Sequence, residues 1–134
     1  MKFSVLTLFP EQIMDFLGTS IIGRAKDRGV IDIEAINIRD FADSPHNKVD
    51  DTLYGGGTGM LMQCEPVFRA WKSVQPAQDS SSASSTSNKR PHTIFLSPKG
   101  KVLDQQKAQS LLHHDHIVLL CGHYEGIDQR VLDT

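Results

Sequence analysis

The chain has 134 residues, a formal net charge of −2, 39% hydrophobic residues and 22% charged residues, which fits one globular domain that buries a sizeable core. This charge balance excludes a globally basic nucleic-acid-binding surface, so any such contact must use local patches. The two cysteines, Cys64 and Cys121, make neither a disulfide framework nor a zinc site. The lack of a signal peptide or of a membrane-length apolar run predicts a cytoplasmic protein with no membrane partner.

The first third of the chain predicts two strands separated by two helices. Residues 3–9 are mostly apolar and end at Pro10, which predicts a strand followed by a short helix over residues 11–17. A second helix is predicted over residues 21–28, between a serine cap and a glycine stop. The alternating apolar pattern of residues 30–38 predicts the next strand.

Residues 39–63 form a long polar, glycine-rich segment in which we predict no regular structure. It contains Asp50, Asp51, Tyr54 and four glycines within residues 55–59. A loop of this length inside a compact domain is usually functional or disordered. Because the segment lacks the repetitive composition of a disordered linker, we predict a functional loop.

The second half of the chain continues the alternation of helices and strands. Helices are predicted over residues 62–73 and 103–112, and strands over residues 93–96 and 117–121. Residues 76–91 contain a serine tract, which predicts an exposed, flexible insertion. Together the elements predict an α/β fold, a mostly parallel sheet with helices on both faces.

Two glycine-bearing turns follow the last two predicted strands. Residues 97–100 end the first of these strands, and residues 122–126 end the second and lead into a helix that begins near Ile127. Ligands of parallel α/β sheets bind past the carboxyl ends of the strands, and glycine lets a ligand approach the main chain. If the two strands are neighbours, both turns face one crevice that could bind a small heterocycle. Each turn taken alone fits an ordinary strand-to-helix connection equally well.

The familiar phosphate-binding and metal-binding signatures are missing from the sequence. Met60 stands where a dinucleotide-binding motif that starts at Gly55 needs its last glycine, and the Gly100–Lys101 pair lacks the following Ser or Thr of a P-loop. The histidines within residues 113–116 are adjacent on one loop and would rarely converge on a single ion, so no metal site is predicted.

Three stretches together resemble the bacterial tRNA (guanine-N1)-methyltransferases of the SPOUT class. They are residues 50–60 (DDTLYGGGTGM), 96–100 (LSPKG) and 120–130 (LCGHYEGIDQR), and residues 3–10 fit as well. The resemblance covers nearly the whole chain and implies that residues 1–134 form an N-terminal S-adenosylmethionine-binding domain with a trefoil knot at the carboxyl edge of the sheet. It also implies a homodimer that methylates N1 of the guanine immediately 3′ of the tRNA anticodon.

The resemblance assigns roles to individual positions of this chain. The residues that match the first cofactor loop are Leu96, Ser97, Pro98 and Gly100. Those that match the second cofactor loop are Gly122, Tyr124, Glu125 and Gly126. The loop that meets the target base contains Asp50, Tyr54, Gly57 and Gly59. The implied catalytic residues are Asp50, Glu125 and Arg130. Glu125 and Arg130 are candidates for contact with the target nucleobase or with a phosphate.

The chain also departs from the family's pattern. Thr58 stands where proline is common, and His123 stands where arginine is common. The third cofactor loop, the aspartate proposed as general base and the C-terminal RNA-binding domain would all follow Thr134. The resemblance therefore implies a truncated domain with an incomplete knot and with weak or no turnover by itself. It leaves open whether Mg²⁺ assists, and two alternatives remain: a non-enzymatic nucleotide- or RNA-binding module, and a generic doubly wound domain for another nucleotide.

Overall fold

The computed structural model describes residues 1–53, 55–76 and 90–133. The main strands are β1 (Lys2–Thr7), β2 (Asp32–Asn37), β5 (His92–Phe95) and β6 (His116–Leu120), and a short hairpin is formed by β3 (Asp50–Thr52) and β4 (Met60–Met62). The four main strands form one parallel sheet in the order β2-β1-β6-β5. The predicted mostly parallel α/β sheet is confirmed, with each main strand lying within two residues of its predicted bounds.

The helices are α1 (Pro10–Leu17), α2 (Ser20–Asp27), α3 (Cys64–Ser73), α4 (Gln105–Leu111) and α5 (Gln129–Leu132). Their ends follow from local chemistry. Pro10 is the first residue of α1. Proline has no main-chain N–H, and this costs nothing here because the first N–H of a helix has no partner within the helix. Asp104 and Asp128 cap α4 and α5, because their carboxylates accept from the main-chain N–H of Lys107 (2.7 Å) and Arg130 (3.0 Å).

Helices cover both faces of the sheet, as predicted. Strand register places Leu6 and Leu120 on one face, where they are buried together with Val67 and Ala70 of α3. Val5, Ile33 and Ile117 share the opposite face and are buried outside that cluster. Helix α1 contacts β1 and β2 and therefore covers this second face.

The prediction that residues 39–63 lack regular structure is wrong. Residues Ile38–Phe41 form a turn of 3-10 helix, and β3 and β4 pair as an antiparallel hairpin in which Asp50 lies opposite Met62. The hairpin strands are three residues long, too short for a periodic pattern to indicate them. Met62 and Val49 are nevertheless fully buried in the core, so tertiary packing holds the hairpin in place.

A polar cluster lies at the amino edge of the sheet, where the parallel strands begin. The Ser4 hydroxyl donates to Glu34 Oε1 at 2.6 Å and lies 2.8 Å from His116 Nε2. A hydroxyl has only one proton, so the imidazole N–H must donate to Ser4 Oγ. Burial opposes ionisation of Glu34, but its bonds to Ser4 and to the Lys2 ammonium hold its pKa below the usual value. Burial and then the Lys2 charge lower the pKa of His116.

Two sequence-based predictions fall largely outside the described residues. Tyr54 is one of them, and most of the serine-rich insertion at residues 76–91 is the other, since only Pro76, Arg90 and Pro91 are described there. No helix in the described ranges combines the length and the hydropathy that a bilayer-spanning segment requires.

Candidate active site at the carboxyl edge of the sheet

The two glycine-bearing turns lie at the ends of neighbouring strands, as the sequence analysis required. Strands β5 and β6 pair in parallel, and the Leu96 N–H extends the ladder by donating to the Leu120 carbonyl at 3.4 Å. The first turn is closed by two bonds to Ser97: its carbonyl accepts from the Gly100 N–H at 3.1 Å, and its hydroxyl accepts from the Lys99 N–H at 3.2 Å. Leu96 and Pro98 are exposed, so this turn is open to a ligand.

Gly122 joins the second turn to the end of β5. A Cβ atom at this position would lie 2.9 Å from Cε2 of Phe95 and 3.5 Å from the Ile127 side chain. Real Cβ atoms essentially never approach another heavy atom so closely. The turn therefore needs glycine here because the Phe95 ring occupies the space beside the main chain.

The rest of the second turn has an unusual backbone. Tyr124 has φ = 61° and Gly126 has φ = 144°, and the Tyr124 side chain is 48% exposed. A left-handed conformation at a residue other than glycine costs about 1–3 kcal/mol and persists where surrounding contacts impose it. Those contacts come from β4: the Glu125 N–H donates to Met60 O at 3.1 Å, and the Gly126 carbonyl accepts from Met62 N at 3.0 Å.

These bonds bring the predicted target-base loop against the second turn. Strand β4 pairs with β3 along one edge and with residues 125–128 along the other, where Met62 and Ile127 form a parallel bridge. A Cβ atom at Gly59 would lie 2.8 Å from Glu125 Cγ, so the glycine loop and the exposed Glu125 side chain are in contact. The structure thus brings together two elements whose proximity only the family resemblance implied.

Asp50 occupies a different position from Glu125. Since Asp50 lies in β3, β4 separates it from residues 125–128. Its carbonyl accepts from Gln63 Nε2 at 3.2 Å, and the residue is half-buried. Asp50 and Glu125, the two predicted catalytic carboxylates, therefore lie on opposite sides of β4 and do not form a pair.

Arg130 is oriented by Asp128, a residue that the sequence analysis did not select. The Asp128 carboxylate accepts from Arg130 Nε at 3.0 Å and from its terminal nitrogen at 2.6 Å. Asp128 is only 5% exposed, whereas the arginine side chain is 68% exposed. The pair borders a cavity of about 290 Å³ that β3 and β4 also line. An aspartate just before a helix is a capping signal, and this is the signal in the sequence by which Asp128 could have been found.

His123 links the second turn to the core and to the end of β1. Its main-chain N–H donates to Met62 Sδ at 3.3 Å. Its ring meets the Phe9 ring edge-on, with centroids 5.1 Å apart and an interplanar angle of 73°. Nothing in the sequence connects His123 with Phe9, because the two residues are distant in the chain.

The described residues contain no group of three or more His, Cys, Asp or Glu side chains arranged to hold a metal ion.

Comparison with known proteins shows the family to which the chain belongs. The family model described as tRNA (Guanine-1)-methyltransferase TrmD matches residues 1–134. A tRNA (guanine-N(1)-)-methyltransferase of Ruminiclostridium cellulolyticum is 46% identical over 133 residues, which are 99% of this chain and 53% of that protein. The protein of the same name from Clostridioides difficile is 41% identical over 133 residues, with 99% and 54% of the two chains covered.

The solved structures show the same relationship. The crystal structure of tRNA (m1G37) methyltransferase from Aquifex aeolicus superimposes with a TM-score of 0.82 at 31% identity, covering 99% of this chain and 56% of that one. The chain thus spans about half the length of the relatives it matches. These matches do not favour the alternative of a non-enzymatic binding module. The chain belongs to the tRNA (guanine-1)-methyltransferase family.

Proposed function

We propose that the chain supplies the cofactor-binding and target-base parts of an S-adenosylmethionine-dependent enzyme that methylates N1 of the guanine immediately 3′ of the tRNA anticodon. The observation that supports this most strongly is the contact between Gly59 and Glu125. It sets the loop expected to meet the base directly beside the turn expected to meet the cofactor. Methyl transfer requires such proximity, because the reacting atoms must be held close together and aligned.

The residues at the carboxyl edge fit the cofactor. Gly100, Gly122 and Gly126 leave the main chain of both turns free of side chains, so that their N–H and C=O groups can bind an adenosyl group. Leu96 and Tyr124 add exposed apolar surface to the two turns. When bound, S-adenosylmethionine supplies an electrophilic methyl group. We assign its binding to Leu96, Ser97, Pro98 and Gly100 in the first turn and to Gly122, Tyr124, Glu125 and Gly126 in the second.

The guanine presents the chemical difficulty, because its N1 carries a proton. A carboxylate that accepts this proton during attack typically contributes about 10²- to 10⁴-fold to the rate. In our proposal the exposed Glu125 carboxylate binds the N–H edge of the base, and Gly57 and Gly59 let the base approach the hairpin. Arg130, held by Asp128, offers its exposed guanidinium to the base oxygen or to a phosphate. Asp50 acts from β3, which β4 separates from Glu125. Tyr54 remains a predicted substrate contact.

The remaining parts of the proposal come from the family resemblance. The general base itself is predicted to follow Thr134, as are the third cofactor loop and the RNA-binding domain. The trefoil knot and the homodimer stay predictions of the same kind. The cytoplasmic location stays a prediction from the sequence itself, and the resemblance leaves open whether Mg²⁺ assists.

The test has two stages. In the first, S-adenosylhomocysteine is titrated calorimetrically into the 134-residue chain, into Gly122→Val and into Pro98→Leu; we expect both substitutions to weaken binding at least roughly ten-fold, or about 1.4 kcal/mol. In the second, the full-length protein is incubated with tRNA that carries guanine or adenine immediately 3′ of the anticodon. Methylation of the guanine substrate alone is expected. Equal methylation of both, or of neither, would contradict the proposal.

A further inference from the structure

The ring pair formed by Phe9 and His123 lies outside the residues assigned to cofactor and target base. We propose that it is a stacking platform for a nucleobase of the tRNA that neighbours the target guanine. This inference rests on the proposed function, because it names a contact with the same substrate.

The free surface of the rings supports a stacked ligand. Phe9 lies between the central strand β1 and helix α1 and is 41% exposed. In an edge-on pair at 73°, one ring presents its edge to the other, so at most one ring face is covered by the contact. Because Phe9 is partly exposed, its ring is accessible to a base, and aromatic faces stack on bases of any type.

The platform is also held in a fixed position. The Phe9 N–H donates to Thr7 Oγ1 at 3.2 Å, and the Phe9 carbonyl accepts from Ile13 N at 3.3 Å as α1 begins. On the other side, the His123 N–H donates to Met62 Sδ. Thr7 and Met62 are both buried, so the main chain that carries each ring is held by the core, which lowers the entropic cost of binding.

Placement favours an RNA base over the cofactor as the ligand. Strand β6 lies between β1 and β5 in the sheet. The first cofactor turn follows β5, whereas Phe9 follows β1 on the other side of β6. His123 belongs to the second turn, and its ring meets the Phe9 ring on the β1 side. His123 is bonded to the last residue of β4, the strand that follows the target-base loop. A base next to the target would therefore reach the Phe9 ring while the cofactor binds between the two turns.

The experiment compares Phe9→Leu with Phe16→Leu in the full-length protein. Phe16 is a matched control, since it lies on α1 and is 75% exposed. Stacking of one base predicts that Phe9→Leu raises the KM for tRNA by about ten-fold or more, with the KM for S-adenosylmethionine within about two-fold of wild type. Phe16→Leu should match wild type in both constants.

The other outcomes are equally informative. If the wild type methylates its guanine and Phe9→Leu keeps the wild-type KM for tRNA, the platform is wrong and the proposed function stands. A rise in the cofactor KM instead would also overturn the platform. A wild type that methylates no tRNA would overturn both inferences. Should Phe9→Leu fail to fold, Phe9→Trp decides: its larger ring should keep or lower the KM for tRNA, and a ten-fold rise would refute stacking.

Discussion

The main-chain N–H of Glu125 donates to the carbonyl oxygen of Met60 at 3.1 Å. These residues are far apart in the sequence, yet this bond joins the hairpin loop to the turn after β6. The bond also has a steric consequence. It holds β4 beside the turn, so that a Cβ atom added to Gly59 would lie 2.8 Å from Cγ of Glu125. The position of the Glu125 carboxylate therefore depends on a glycine in another part of the chain.

Gly59→Ala should impair methyl transfer without abolishing cofactor binding. The new Cβ would displace the Glu125 side chain, and φ = 143° at this residue is a strained value for alanine. A displacement of about 1 Å can cost roughly 10²-fold in rate. Steady-state methylation of tRNA by the full-length protein measures the loss. Gly56→Ala is the control, because Gly56 has φ = 81° but no atom within 4 Å of the added Cβ. Equal losses in both variants would show that backbone strain alone, and not the Glu125 contact, matters.

Gly122→Ala should weaken cofactor binding roughly ten-fold or more, because overpacking against Phe95 costs about 1–3 kcal/mol. Calorimetric titration of S-adenosylhomocysteine measures this effect. Combining Gly122→Ala with Phe95→Leu should recover part of the affinity, since the shorter side chain frees the space that the new methyl group needs. Gly29→Ala, at an open position remote from the turns, should bind as wild type does. A double variant no better than Gly122→Ala would rule out the steric explanation.

Asp128→Asn should reduce both stability and methylation. The amide cannot accept all three Arg130 N–H groups that the buried carboxylate now accepts. Losing such a bond to a buried group costs about 1–3 kcal/mol, which urea unfolding will detect. Arg130→Lys provides the comparison: it keeps the charge but loses the planar fork, and it should slow methylation with a smaller loss of stability. If Asp128→Asn keeps full activity, the orientation of Arg130 is not important for the reaction.

Acidification should destabilise the fold through the Ser4, Glu34 and His116 cluster. Burial lowers the pKa of His116 in the folded state, so protonation favours the unfolded chain. The contribution of His116 to the free energy of unfolding is complete above about pH 6.5, the ordinary histidine pKa, and is lost as pH falls below it. The lowered pKa of Glu34 acts in the same direction at still lower pH, below the ordinary glutamate pKa near 4.3. Urea unfolding between pH 8 and pH 5 should show a falling free energy of unfolding.

His116→Gln tests the assignment of this pH dependence. Glutamine keeps a donor for Ser4 Oγ but does not titrate. The free energy of unfolding should therefore fall less between pH 7 and pH 5 than in the wild type. His46→Gln is the control, since His46 is exposed, and its curve should follow the wild type. Burial also lowers the pKa of His92, so part of the fall should remain in His116→Gln. An unchanged pH dependence in that variant would remove His116 as its source.

Local signals were enough to predict most of the regular structure. The apolar run of residues 3–9, ended by Pro10, indicates a strand followed by a helix, because proline favours the first turn of a helix. The same holds for the strand before Gly122. The sequence also predicted that the turns at residues 97–100 and 122–126 lie at one edge of the sheet, because parallel strands present their carboxyl ends there. It left open whether the two strands are neighbours, and the structure shows that they are.

Other features had no local signal. Asp50–Thr52 is polar and three residues long, so nothing in its composition favours a strand. Asp128 could be recognised as a cap, but not as the partner that orients Arg130 in a cavity with β3 and β4. Phe9 and His123 each look like an ordinary turn residue until the pairing of β1 with β6 sets their rings 5.1 Å apart.

By itself, the sequence determined the fold class, the positions of the main strands and helices, and the two glycine-bearing turns. These depend on residue periodicity, caps and backbone freedom, which act within a few neighbouring residues. Only the tertiary structure decided that β1 lies between β2 and β6 and that β4 bonds to residues 125–128. Those arrangements draw their free energy from burying Met62, Leu6 and Leu120 together. Such long-range packing is a property of the whole core rather than of any one stretch of chain.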